Sequence, residues 1–231
     1  MLHIEKLNQH YGESHTLWDV DLAVPEGKCT CLMGRNGVGK TTLLCCIMGL
    51  LSLTSGRIRL GGTDITRLAA DRRAMLGVGY VPQGRQIFPL LTVQENLSIG
   101  LTTGRKKQNK IPDLIFEMFP VLYEMRGRLG GDLSGGQQQQ LSIGRALVLE
   151  PSLLILDEPT EGIQPNIVQQ IGAIIDKLCK EMSMTILLVE QKLLFTQAVA
   201  DRFSILDRGR MVVSESIEKL DDKLVQKYLT V

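Results

Sequence analysis

Aromatic residues are scarce in this chain, and so is any excess of charge. Of 231 residues, one is tryptophan and 4% are aromatic; 26 Lys and Arg against 25 Asp and Glu leave a formal net charge of +1. A balance that close to neutral offers no broad cationic face, so no nucleic-acid partner is expected. Histidine is also rare, with only His3, His10 and His15 scattered through the N-terminal strands as surface residues. Cys29-x-Cys31 has no second Cys or His pair at zinc-binding spacing, which argues against a thiolate metal site. Cys29, Cys31, Cys45, Cys46 and Cys179 all fall in apolar runs, where reduced thiols pack as small hydrophobes. Missing too is any apolar run near the roughly 18 residues that span a bilayer. The start, Met1-Leu2-His3-Ile4-Glu5-Lys6, is not a signal peptide, so a cytosolic chain is expected. There is no internal repeat, and the length suits one large α/β domain or a domain with a smaller lobe.

What the chain does contain is a phosphate-binding loop. Gly34-Arg35-Asn36-Gly37-Val38-Gly39-Lys40-Thr41-Thr42 lies between an apolar strand, Cys29 to Met33, and a helix expected from Thr42 to Leu50. Gly37 and Gly39 can take positive φ and carry no Cβ, so successive backbone N–H groups can turn inward around a β-phosphate. The helix adds its positive N-terminal end. Lys40 would reach the β- and γ-phosphates and Thr41 would ligate Mg²⁺. Thr42 either contacts the α-phosphate or satisfies the helix start.

Around that loop the chain alternates strand and helix signals. Residues 1 to 33 show the period-2 alternation of antiparallel strands with one wet face, and Tyr11, in the loop between the first two, is either an adenine-stacking ring or an ordinary surface residue. Arg57 to Leu60, a Gly61-Gly62 turn and a return from Ile65 follow, then a charged helix from Arg67 to Met75 and a strand from Leu76 to Val81 stopped by Pro82. Gln83, just past that stop, competes between Mg²⁺ or water contact and loop solvation.

From 86 to 150 the strand signal disappears. Thr92 and Glu95 spell a capping box, Pro112 suits a helix start, Pro120 ends or kinks that helix, and Arg105 to Lys110 is a charged bridge. Ser134 and Gln137 form a second capping box, with Gly135 and Gly136 leaving backbone N–H groups open to an outside anion and Gln137 to Gln140 keeping that end wet. Leu153 to Leu156 reads as a strand buried on both faces, ending in Asp157-Glu158-Pro159. Two carboxylates there are costly without a cation or water nearby. With a P-loop in the chain, Asp157 would hold the metal and Glu158 would orient the attacking water. A helix from Pro165, a buried strand from Thr185 to Val189 followed by Glu190-Gln191, a hairpin around Asp207 to Arg210 and a short helix from Asp221 to Leu229 complete the chain.

The P-loop, Gln83, Leu133-Ser134-Gly135-Gly136-Gln137 and Leu153 to Glu158, in that order, resemble the ATP-binding cassette family over essentially the whole chain. That resemblance implies an α/β P-loop NTPase fold with a RecA-like core, an antiparallel β subdomain and an inserted helical lobe, divided at about 1–85 and 151–231 for the core and 86–150 for the lobe. It implies an ATPase using ATP and Mg²⁺, with ATP sandwiched between two cassettes. The P-loop residues Gly34, Asn36, Gly37, Gly39, Lys40, Thr41 and Thr42 of one would face Ser134, Gly135, Gly136 and Gln137 of the other. It assigns Tyr11 to adenine stacking, Gln83 to coupling and metal contact, Thr41 and Asp157 to the metal, and Lys40 and Glu158 to catalysis. Gln191 stands where the family commonly has a switch histidine; it can donate to a γ-phosphate but cannot carry positive charge. Glu161-Gly162-Ile163-Gln164 also departs from the usual cross-dimer segment.

Arg35 to Lys40, Pro82 to Arg85, Glu161 to Pro165 and Leu188 to Gln191 resemble the branched-chain amino acid and amide importers, and the run Gln137 to Gln140 with Glu161 to Gln164 resembles an ATP-binding subunit of bacterial urea importers. The branched-chain amino acid subunits are the alternative. Implied partners are a second cassette, two transmembrane permease subunits and, indirectly, an external solute-binding protein, at the cytoplasmic face of a bacterial membrane. Ile87, Phe88, Leu90 and Leu91 are either the groove for a coupling helix or lobe core. A soluble cassette acting on DNA or in translation would need a coiled-coil insert, a tandem cassette or a basic face, and none is visible. Gln191 keeps a weakly hydrolysing regulatory subunit open, whereas Glu158 and Ser134 to Gln137 argue against it.

Overall fold

The computed structural model describes residues 1–102 and 109–229, so most of the Arg105 to Lys110 bridge lies outside the described residues. Two sheets organise the molecule. Strands β1 (Leu2–Tyr11), β2 (Ser14–Val24), β4 (Ser55–Leu60) and β5 (Thr63–Asp64) form an antiparallel sheet in the order β2-β1-β4-β5. The second has the order β10-β9-β3-β8-β7-β6, from β10 (Arg210–Ser216), β9 (Arg202–Asp207), β3 (Cys29–Met33), β8 (Thr185–Val189), β7 (Leu153–Asp157) and β6 (Val78–Val81). All its neighbours are parallel except β10, which lies antiparallel on the edge.

Strands β3, β7 and β8 are buried at every position, as continuous apolar runs in a parallel sheet require. Their side chains divide by parity. Leu154, Leu156, Ile186, Leu188, Cys31 and Met33 join one apolar cluster, while Leu153, Ile155, Leu187, Val189 and Leu32 join the other. The first cluster packs under α6 (Gly135–Leu147) and α7 (Pro165–Lys180), and the second lies between this sheet and α1 (Lys40–Met48) with the antiparallel strands. Each such side chain contributes roughly 1.5–3 kcal/mol by leaving water. The period-2 rule thus fixes which loops emerge together at the C-terminal edge of the sheet, where the P-loop, Glu158 and Gln191 follow β3, β7 and β8.

The structure differs from the sequence reading at several points. Helix α1 starts at Lys40, two residues earlier than expected, and Tyr11 closes β1 instead of sitting in a loop. The return strand β5 is over by Asp64, and Pro120 opens a helix, α5 (Pro120–Glu124), after α4 (Asp113–Met118). A Pro at the first helical position loses no hydrogen bond, so the break and the restart share one residue. Gln139 and Gln140 are buried, Gln140 donating to Gln170 Oε1 on α7 at 2.9 Å, so the glutamine run is wet only in its first half. Helix α2 (Ala70–Met75) starts three residues later than expected, and α3 (Val93–Ser98) follows its expected Thr92–Glu95 capping box. Helix α8 (Leu193–Val199) was not anticipated, and α9 (Asp222–Tyr228) closes the described chain.

One buried cation was also missed. Arg73 on α2 is 2% exposed and donates to the carbonyls of Cys46 and Ile47 at 2.7 Å each, of Leu68 at 2.9 Å and of Thr66 at 3.0 Å. It therefore satisfies the carbonyl end of α1, where the helix dipole favours a positive charge.

Candidate active site

The P-loop backbone explains its own spelling. Gly37 and Gly39 take φ of 80° and 107°, a region that L side chains rarely enter, and a Cβ on Gly39 would also lie 2.8 Å from Leu17 Cδ2. Gly39 is the N-cap of α1 and supplies no side-chain cap, so the first amides of this helix point into a cleft of about 560 Å³. Asn36, Gly37, Gly39, Lys40, Thr41 and Thr42 line that cleft from one side; Gln83, Glu158, Glu161 and Gln191 line it from the other. Gly34 lies buried beneath it, close against the Leu206 carbonyl. Tyr11, 53% exposed, does not border the cleft.

Lys40 folds back over its own loop. Its Nζ donates to the carbonyls of Gly34 (2.7 Å) and Arg35 (3.0 Å) and lies 3.8 Å from Glu158 Oε1. Burial pushes its pKa down, against the opposing pull of Glu158 and Asp157. The ammonium is thus centred among acceptors at the mouth of the anion cradle.

Glu158 is the hub of the opposite wall. Gln191 Nε2 donates to its Oε1 at 2.6 Å and to Asn36 Oδ1 at 2.8 Å, while Gln83 Nε2 donates to Glu158 Oε2 at 3.2 Å and to Glu161 Oε2 at 2.9 Å. The residue has φ of 47°, and its own N–H donates to the Val189 carbonyl at 2.9 Å. A non-glycine residue in that region costs of order 1 kcal/mol and persists only where surrounding structure imposes it. Two amides and one ammonium therefore hold the carboxylate facing the P-loop.

Asp157 is 2% exposed and, among the described residues, receives only a long bond from the Tyr80 hydroxyl, at 3.5 Å. Burial first, then the neighbouring Glu158, pushes its pKa up to about 6, against the Tyr80 bond and Lys40. A buried carboxylate so poorly partnered suits a site completed by a cation. Among the described residues no group of three or more His, Cys, Asp or Glu could hold a metal by itself. The donors present, the Asp157 carboxylate, the Thr41 hydroxyl and the Gln83 amide oxygen, are all oxygen. That set fits Mg²⁺, which takes one or two carboxylates and completes its shell with substrate phosphates and water.

Ser134 to Gln137 stand apart from this cleft. Ser134 Oγ accepts from the Gln137 N–H at 3.4 Å and Gln137 Oε1 accepts from the Ser134 N–H at 2.9 Å, a complete capping box at an exposed end of α6. Residues just after Gln83 tie the two regions: Ser142 on α6 donates to the Arg85 carbonyl at 2.6 Å and Arg145 to the Gln86 carbonyl at 2.9 Å, and both acceptor residues have positive φ. The structure thus gathers the P-loop, Gln83, Glu158 and Gln191, places Asp157 just beneath, and leaves Tyr11 and Ser134 to Gln137 outside. Sequence reasoning missed Thr16, Thr160, Glu190 and Lys192, which also border the cleft. For Glu190 the signal was present, as a carboxylate directly after the apolar run Ile186 to Val189.

Comparison with known proteins gives a consistent picture. The ABC transporter family matches residues 17–161. A high-affinity branched-chain amino acid transport ATP-binding protein of Pseudomonas aeruginosa is 40% identical, over 94% of this chain and 93% of its own. A probable branched-chain amino acid transport ATP-binding protein of Archaeoglobus fulgidus is 39% identical over 95% and 94%. Among solved structures, a nucleotide-free ATP-binding cassette from an ABC transporter superposes with a TM-score of 0.88 at 27% identity, covering 98% of this chain and 97% of that one. A dimeric post-hydrolysis cassette bound to ADP and phosphate superposes at 0.84 with 25% identity, over 94% and 99%.

Proposed function

The chain belongs to the ABC transporter family, and from that premise we propose that it is the ATP-hydrolysing subunit of an importer for branched-chain amino acids. It is an ATPase of the P-loop NTPase fold. The urea and short-amide reading gives way here to its alternative, because both relatives quoted above carry branched-chain amino acid names. The cassette never contacts the solute in this reading, so the relatives, and not the cleft, support the choice.

The observation that carries the mechanism is Glu158, aimed across the cleft at the P-loop by Gln191 and Gln83. In the proposed cycle the amides of Gly37 to Thr41 bind the β-phosphate, and Lys40 turns from its loop carbonyls to the γ-phosphate. Glu158 accepts a hydrogen bond from a water and takes its proton as the water oxygen bonds to the γ-phosphorus and the bond from that phosphorus to the β–γ bridging oxygen breaks, releasing ADP and phosphate, work typically worth about 10²–10⁴-fold. Mg²⁺, held by Thr41, Asp157 and Gln83, would neutralise charge developing on the phosphates. Gln191 would donate to the γ-phosphate and Tyr11 would stack on adenine outside the cleft. Ser134 to Gln137 would complete the site of a second, related cassette. Residues 1–85 and 151–231 would act as the α/β core and 86–150 as the lobe.

Two transmembrane subunits and, indirectly, an external solute-binding protein are the remaining proposed partners, with this chain at the cytoplasmic face of the membrane. Among the described residues no helix is long and apolar enough to cross a bilayer. Phe88 is 45% and Leu90 84% exposed, which favours their use as a docking surface for a coupling helix, whereas Ile87 packs against the main core cluster and Leu91 is half-buried. Uptake of labelled leucine in cells with and without this subunit tests the proposal. Loss of leucine uptake, rescued by wild type but not by Glu158→Gln, is expected; loss of urea uptake alone would return the reading to short amides.

A further inference from the structure

Glu190 accepts four hydrogen bonds within the described residues, and no step above uses it. It follows β8 and is 2% exposed. Its Oε1 accepts from the Thr160 N–H at 3.2 Å and the Thr160 hydroxyl at 2.5 Å; its Oε2 accepts from the N–H groups of Gln191 at 3.0 Å and Lys192 at 3.2 Å. Lys192 Nζ closes the ring by donating to the Thr160 carbonyl at 2.7 Å. The Glu190 N–H points to the Leu32 carbonyl on β3, at 3.4 Å.

These bonds join the loop after β7, which carries Glu158, to the loop after β8, which carries Gln191. A buried carboxylate is tolerated because charge-assisted hydrogen bonds from two backbone amides on one side, and an amide and a hydroxyl on the other, offset its desolvation. Gln191 itself is exposed, so packing does not fix its side chain. Its 2.6 Å approach to Glu158 depends on where its backbone is anchored, and Glu190 is that anchor. We propose that Glu190 is a positioning residue for hydrolysis, holding Gln191 against Glu158 so that turnover, and not nucleotide binding, depends on it. The inference rests on the reading of Gln191 as a participant in the site.

Glu190→Gln keeps the shape but turns an NH₂ group toward N–H donors. In steady-state hydrolysis of ATP with Mg²⁺ by the full chain, kcat should fall about tenfold while KM for ATP moves less than about twofold. The same substitution made in a Gln191→Ala chain should cost nothing further, because the group it positions is gone. A fall of equal size in both backgrounds, a rise in KM at unchanged kcat, or wild-type turnover of Glu190→Gln beside an impaired Gln191→Ala would each overturn the proposal. Wild-type turnover of Gln191→Ala alone would remove the reading beneath it and the proposal with it. Where Glu190→Gln fails to fold, Thr160→Val, which deletes one donor and leaves the carboxylate, serves in its place. A loss of turnover absent from the Gln191→Ala background then supports the role, and an additive loss overturns it.

Discussion

Helices α1 and α6 both begin beside glycines, yet they solve the same problem in opposite ways. At α1 the N-cap is Gly39, with no side chain to accept from the first amides; at α6 Ser134 and Gln137 accept from each other's N–H groups. Every helix leaves four N–H groups without intrahelical partners. A helix that caps itself spends its N-terminus on its own stability, whereas one that begins on bare glycine keeps it for an outside anion. Within one chain, therefore, α1 leaves its first amides to the cleft, whereas α6 closes its own N-terminus with the capping box. The opposite end of α1 sharpens the contrast, because Arg73 satisfies its carbonyls from a buried position.

The largest expected effect falls on the bare end. Lys40→Ala removes the cation over the cradle and should lower kcat/KM for ATP hydrolysis by about 10³-fold, read from initial rates. Glu158→Gln comes next: it should bind ATP as wild type does, in a fluorescent-nucleotide titration, while turnover falls by roughly 10²-fold. An unimpaired rate would remove Glu158 from its role and leave the bare helix end as a binding site only.

Arg73→Met should cost about 3 kcal/mol in urea denaturation, because four buried carbonyls lose their donor. Ser134→Ala, at the capped end, should cost only about 1 kcal/mol and leave ATP affinity of the single chain unchanged. The comparison itself fails if ADP slows hydrogen exchange at residues 135–137 of the single chain as strongly as at residues 37–42. Selective protection of the P-loop amides is the expected result.

Much of this was legible in the sequence because local physics dictated it. The unbroken apolar runs Leu153 to Leu156 and Ile186 to Val189 pointed to strands buried on both faces, and both capping boxes could be read from spacing alone. The places of the P-loop, Glu158 and Gln191 were legible for the same reason: each follows a recognisable strand. What escaped notice depended on packing between distant segments. Gln140 is buried because Gln170 on α7 meets it, and nothing in a run of glutamines says so. Arg72 and Arg73 are neighbours in sequence, and only the position of α1 decides which one goes inside. Thr160 and Glu190 are thirty residues apart, brought together by the parallel register of β7 and β8.

The left-handed backbone of Glu158 has a consequence for anyone wishing to harden this protein against heat. Asn and Gly tolerate that conformation better than Glu does. A screen that rewards thermal survival alone is therefore expected to drift toward Asn or Gly at 158, and to return robust proteins that no longer turn over. Under the proposed role of Glu158, robustness and turnover pull in opposite directions at this position through backbone shape, independently of charge. Glu158→Gln, which keeps both the backbone demand and the side-chain length, separates the two; Glu158→Asn confounds them.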